Sequence, residues 1–91
     1  MALLQRIRQK ILDQAYYIST HAEEKLDADD FVREDVEHAI LHGLIESRQK
    51  DDPRGTRYRV VGPALNGRAI GVVSRFDELG DLIIITVYAK E

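Results

Sequence analysis

The side chains best suited to handling a phosphodiester in this sequence are His21, Lys25, Arg57, Arg59, Arg68, Thr86 and Tyr88. An imidazole accepts or donates a proton near neutral pH. A guanidinium holds a phosphate through two parallel hydrogen bonds and stabilises charge that grows on it. A Thr or Tyr hydroxyl orients a phosphate or a water. Together these are the needs of metal-independent RNA cleavage, in which a 2′-hydroxyl attacks the adjacent phosphate. Each residue also has an ordinary reading. His21 decorates the first turn of a helix, Lys25 pairs with an acid, the arginines form a wetted sheet face, and Tyr88 packs in the core or an interface.

Other chemistries find less support. There is no phosphate loop, no dinucleotide fingerprint and no HExxH motif. With no cysteine in the chain, a disulfide scaffold, a thiolate nucleophile and a thiolate zinc site are excluded. His38 and His42 have metal-compatible spacing, but both lie away from Val36 and Ile40 and read as a solvated helix face. The carboxylates between 23 and 35 read as helix caps and solvated surface. No metal and no cofactor are expected.

The elements that must position these groups follow from periodicity. The C-terminal third reads as three strands over 57–62, 67–76 and 82–89, with Pro, Gly, Asn and Asp collected in the turns between them. No connection there is long enough for a helix, so the strands form an antiparallel meander. A further strand is expected over 44–48. Helices are expected over 2–15, 21–26 and 31–42 from apolar residues at helical spacing. Ser19 or Thr20 offers the cap of the second helix, with Thr20 the better candidate because Glu23 three residues on completes a capping box. Asp30 is the expected cap of the third, and Gly43 its left-handed terminator. The segment 16–18 is either an isolated edge strand or an extended linker. The result is a single α+β domain over 1–91, with N-terminal helices packed on a four-stranded antiparallel sheet.

Alternation assigns the faces. In the last strand Ile83, Ile85 and Val87 are expected to meet the helices, with Leu82, Ile84, Thr86 and Tyr88 opposite. Apolar Leu82 and Ile84 on an outer face call for a cover, which suggests a homodimer. The meander turn places Arg68 beside Tyr88 across the sheet.

Charge is unevenly distributed over a chain of 91 residues with formal charge −3. Residues 54–75 hold Arg54, Arg57, Arg59, Arg68 and Arg75 and no acid, whereas residues 22–52 carry a net −7. The sheet is therefore basic and the helical middle acidic. A pI near 5.6 argues against indiscriminate nucleic-acid binding but allows a local phosphate site. No run approaches membrane-spanning length and the start is not a secretory signal, so no membrane contact and a cytoplasmic location are expected.

Five motifs in order, STHAEEKL at 19–26, EDVEHAILHG at 34–43, RYRVVG at 57–62, NGR at 66–68 and IITVY at 84–88, resemble the domain-of-unknown-function family 4258. That family is similar to the BrnT toxins and the RelE-like ribonuclease fold, in which N-terminal helices pack on an antiparallel sheet. The resemblance implies an RNase-like site with His21 as base or acid, Lys25 and Arg68 on the phosphate, Tyr88 or Thr86 in support, and Arg57 or Arg59 adding a contact. It also implies RNA as substrate and an antitoxin-like protein as partner. The rival expectation is a non-catalytic protein- or nucleic-acid-binding domain of the same fold. The two differ in whether His21, Lys25, Arg68 and Tyr88 face one groove.

Overall fold

A computed structural model of the chain describes residues 2–90. The elements run α1 (Leu3–Leu12), β1 (Tyr16–Ile18), α2 (Thr20–Ala28), α3 (Arg33–His42), β2 (Leu44–Gln49), β3 (Arg57–Pro63), β4 (Ala69–Phe76) and β5 (Leu82–Ala89). The sheet has the order β1-β5-β4-β3-β2. The expected meander is present, with β2, β3, β4 and β5 antiparallel to their neighbours. The four-stranded, wholly antiparallel expectation is corrected at one edge. The segment 16–18 is a fifth strand, paired parallel to β5 from Tyr16↔Leu82 to Ile18↔Ile84. A parallel neighbour needs a long crossover, and everything from α2 to β4 lies between these two strands.

Helices cover one face. Ile7 and Ile11 of α1, Ala22 and Leu26 of α2, and Val36 and Ile40 of α3 pack against Val60, Ile70, Val72, Ile84 and Val87 of the sheet. Their caps differ from expectation. Ser19, not Thr20, caps α2: its Oγ accepts from Ala22 N at 3.0 Å and donates to Ile85 O at 2.9 Å, so one hydroxyl starts the helix and ties it to β5. Asp30 does not cap α3, because it sits at φ 58 in the preceding turn. Instead Asp35 reaches back, accepting from Val32 N and Leu65 N, both at 2.9 Å. The other end of α3 is closed by Arg8, whose Nε donates to Ile40 O at 3.1 Å and Nη2 to Gly43 O at 2.8 Å.

Gly43 is not left-handed, having φ −100 and ψ −170. Glycine is needed there for proximity. A Cβ would stand 2.3 Å from Val61 O and 2.5 Å from Ala39 O, and one on Gly62 would stand 2.2 Å from Ala39 O. The two glycines let the last turn of α3 lie backbone-to-backbone on β3.

The face assignment in β5 is corrected by a bulge. Val73 pairs with Thr86 but Ser74 pairs with Ile84, so Ile85 is an extra residue. Alternation therefore changes phase in mid-strand. Leu82, Ile84 and Val87 all point into the core, each at 0% exposure. The chain's own helices bury Leu82 and Ile84, and the argument for a covering second copy there disappears.

Candidate functional site

With Val60, Val72 and Val87 inward, the cross-strand registers set out the opposite, open face as rows. One row holds Tyr17, Ile83 and Arg75, continued by the pair Arg57 and Gln49. The next holds Thr86, Val73, Arg59 and Ser47. The third holds Tyr88, Gly71, Val61 and Leu44. A groove of about 240 Å³ lies across this grid, lined by Ser47, Gln49, Arg57, Arg59, Val73, Thr86 and Tyr88. Of the residues expected from sequence, Arg57, Arg59, Thr86 and Tyr88 meet in it.

His21 joins from the sheet edge. Its Nε2 lies 3.1 Å from Thr86 Oγ1, and its ring is otherwise open to solvent. It reaches that position because β1 pairs only with the first residues of β5. Beyond Ile84 the edge of β5 is taken over by α2, anchored where Ser19 N donates to Ile84 O at 3.0 Å. Helix α2 then runs alongside β5. Four helical residues advance about 6 Å and two strand residues about 6.6 Å. His21 and Lys25 on α2 therefore keep step with Thr86 and Tyr88 on β5. Lys25 is half-buried one turn beyond the imidazole.

Arg68 is placed elsewhere. Its Nη1 donates to Asp29 O at 3.0 Å, at the far end of α2 from His21, and its guanidinium stacks 4.4 Å from the centroid of the buried Phe31 ring. It fastens the α2–α3 turn to the start of β4 on the helix side. Tyr88 pairs with Gly71 on the open face and so is not its cross-strand neighbour. The register, combined with the side alternation of β4, separates the two.

Tyr88 lies flat on the sheet because Gly71 leaves it room: a Cβ there would stand 2.2 Å from Tyr88 Cζ. The Arg59 guanidinium sits 5.8 Å from the centroid of the same ring. Gly71 escaped the sequence reading, although a glycine inside a strand is a signal of close approach. Ser47 and Gln49 escaped it too, while alternation along β2 was enough to place them on one side.

The electrostatics are mixed. Arg59 Nη1 is 3.4 Å from Glu46 Oε1, and Glu46 also pairs with Lys90. Arg57 Nε is 3.4 Å from Asp52 Oδ2 without hydrogen-bond geometry, and Arg54 Nε is 3.8 Å from the same carboxylate. The Lys90 ammonium, followed by Arg59, holds the Glu46 carboxyl below its ordinary range. Glu46 is a displaceable surface partner, since exposed ion pairs contribute only about 0–1 kcal/mol, whereas Asp52 is mostly buried and also accepts from Arg54 N at 2.9 Å. The groove thus presents two guanidinium groups, the hydroxyls of Ser47, Thr86 and Tyr88, an aromatic face and an imidazole at its rim. That set suits an anionic, ring-bearing ligand. His38 and His42 stack with centroids 4.3 Å apart, and His38 Nδ1 is 2.8 Å from Pro63 O. No group of three metal-ligating side chains exists among the described residues.

The model of the family described as domain of unknown function (DUF4258) matches residues 18–89. The chain belongs to that family. The match opens in β1 and closes with β5, so it contains every groove residue and leaves out α1. No curated protein and no solved structure matches the chain. No helix among the described residues is long and apolar enough to cross a membrane.

Proposed function

We propose that this DUF4258 domain is a metal-independent endoribonuclease of the RelE/BrnT-like kind, with the open sheet face as its substrate surface. The observation that carries the reading is the approach of His21 Nε2 to Thr86 Oγ1, 3.1 Å apart, at the rim of the groove that holds Arg57, Arg59 and Tyr88. Thr86 Oγ1 marks a point where a hydroxyl hydrogen-bonds the imidazole. A ribose 2′-hydroxyl that takes its place has its proton within reach of a general base. In the step, the 2′-oxygen bonds to phosphorus as its proton passes to His21. The P–O5′ bond breaks and the departing oxygen takes a proton from water. The products are a 2′,3′-cyclic phosphate and a 5′-hydroxyl. Arg59 and Arg57 neutralise charge on the phosphate oxygens. Lys25 adds positive charge from α2, and Tyr88 supports a base or sugar. Arg68 acts from outside, by holding the α2–α3 turn.

The test is cleavage of an unstructured RNA by purified protein in EDTA, with product ends identified. Wild type should leave cyclic phosphate ends. His21→Ala should lose at least about 100-fold in rate, the usual contribution of a proton-transfer group, and Arg59→Ala a comparable factor. Equal cleavage by wild type and His21→Ala rejects the proposal.

The second reading is a binding domain of the same fold without catalysis. It is favoured by Arg68, which lies outside the groove that was to unite it with His21 and Tyr88, and by the Glu46 and Asp52 carboxylates, which already occupy the arginines. Tight RNA binding with no cleavage under any condition would select it.

A further inference from the structure

The open face continues past the groove. Arg57 also lines an adjoining cavity of about 170 Å³ with Ser19, Asp52, Arg54, Arg75, Ile83 and Ile85. Arg54, Arg75 and Ile83 line the next hollow along, together with Tyr17 and the carboxylates of Asp77 and Glu78. Arg75 differs from the other arginines of this face: among the described residues no hydrogen bond or ion pair engages it. It is half-buried on the open side of β4, beside Ile83 and one row from Arg59. A half-buried guanidinium with no hydrogen-bond or ion-pair partner among the described residues, lying between Ile83, Tyr17 and the mixed charges of Arg54, Asp52, Asp77 and Glu78, keeps its donors for something else.

Rows on a sheet are about 6.6 Å apart along the strands, and neighbouring strands about 4.8 Å apart. Arg59 on β3 and Arg75 on β4 therefore stand about 8 Å apart at the backbone, with Arg57 between them in the grid. That is a spacing that long side chains match to consecutive phosphates of one extended strand. Exposed Tyr17 closes one end of the track and Tyr88 the other. Guanidinium groups flanked at each end by an aromatic ring on an open face suit a single strand, since phosphates meet cations and bases meet rings. The two faces of a duplex do not present bases to such rings.

We infer that Arg75, supported by Arg54, forms a second phosphate subsite, so that the ligand is a single-stranded oligonucleotide of at least three nucleotides rather than a mononucleotide or a duplex. This inference rests on the reading of the open face as the substrate surface, but not on its chemistry of cleavage. Asp52 sets the limit of the subsite, and Asp77 is committed elsewhere, accepting from Tyr17 OH at 3.3 Å and from Leu79 N and Asp81 N at 2.9 Å.

The experiment is fluorescence anisotropy with the full chain and uncleavable 2′-O-methyl oligonucleotides of two and four residues, across a salt series. Arg75→Ala should weaken tetranucleotide binding about tenfold and flatten the salt dependence by about one phosphate's worth of slope. Dinucleotide binding should change less than about twofold. No hydrogen bond or ion pair among the described residues holds Arg75, so the variant should melt within a few degrees of wild type, and Arg75→Lys should recover part of the slope. The inference is overturned if the tetranucleotide binds the Ala variant as it binds wild type, if a duplex of equal length binds as well as the single strand, or if wild type binds neither oligonucleotide. If cleavage survives His21→Ala while the Arg75 effects appear, the reaction assigned above fails and the track stands.

Discussion

Gly62 and Gly71 both lie in the sheet, and a Cβ on either would stand 2.2 Å from a heavy atom. The consequences of Gly62→Ala and Gly71→Ala should nevertheless differ several-fold. At Gly62 the obstacle is Ala39 O, with Gly43 Cα at 2.8 Å and Ala39 C at 2.9 Å behind it. All three are backbone, and none can rotate away. Relief requires α3 to rise about 1 Å from β3, and a gap of that size forfeits a quarter to a half of the dispersion attraction across it. Val36, Ala39 and Ile40, all at 0% exposure, lie in that interface. A cost of about 3 kcal/mol or more follows, at the upper end for an overpacked core. In urea this lowers the unfolding midpoint by about 1–3 M at the m-values of small domains. At Gly71 the obstacle is the tip of the Tyr88 ring, which two side-chain torsions can swing aside. Ala also restricts the unfolded chain, a gain of about 0.4–1 kcal/mol. The expected change in stability is within about 1 kcal/mol, while oligonucleotide affinity falls because the ring no longer lies flat beside Arg59. A Gly62→Ala variant within 1 kcal/mol of wild type, or a Gly71→Ala variant as unstable as Gly62→Ala, refutes this account of the two glycines.

Tyr16 supplies a pH prediction. Burial first, then its 2.6 Å hydrogen bond to Glu37, push its phenol from 10.0 up to about 12. The folded protein thus holds the proton more tightly than the unfolded chain, so the stabilisation is complete below pH 10 and is lost as pH rises toward 12. Urea titrations between pH 8 and 11.5 should show that slope in wild type and not in Tyr16→Phe; parallel curves would contradict it. Ser74 Oγ is fully buried without a hydrogen-bond partner among the described residues. Ser74→Ala should therefore raise stability by about 1 kcal/mol, visible as a melting temperature higher by about 4–8 °C, and a lowered one would show that the hydroxyl is satisfied. Glu46→Gln removes the carboxylate that competes for Arg59 and Lys90. It should tighten oligonucleotide binding about two- to fivefold at low salt, a range set by the small value of exposed ion pairs, and unchanged affinity would place the ligand off this groove.

What the sequence determined by itself is everything set by local preference. Period-two runs of β-branched residues between Gly, Pro, Asn and Asp turns specify β3, β4 and β5 and their antiparallel order, because adjacent strands with short links have little alternative. Helical spacing specified the three helices to within a few residues, and the run of arginines without acids specified a basic sheet. Of the groove residues, Arg57 and Arg59 were picked out by residue type alone, while alternation placed Thr86 and Tyr88 together on the side away from the helices.

Tertiary structure decided what depends on partners distant in the chain. Three residues at 16–18 carry too little pattern to reveal that β5 lies beside them, yet those hydrogen bonds complete the sheet and bring His21 to Thr86. The bulge at Ile85 leaves no mark in the alternation of Leu82–Ala89, but one inserted residue exchanges the faces of half the strand. It buries Leu82 and Ile84 and sends Thr86 and Tyr88 outward together. Arg68 shows the same limit: its charge was visible, while the Phe31 ring and Asp29 carbonyl that claim it are 37 and 39 residues away in sequence. Local energetics choose the elements. Long-range hydrogen bonds and packing choose the register, and the register determines which polar groups share a face.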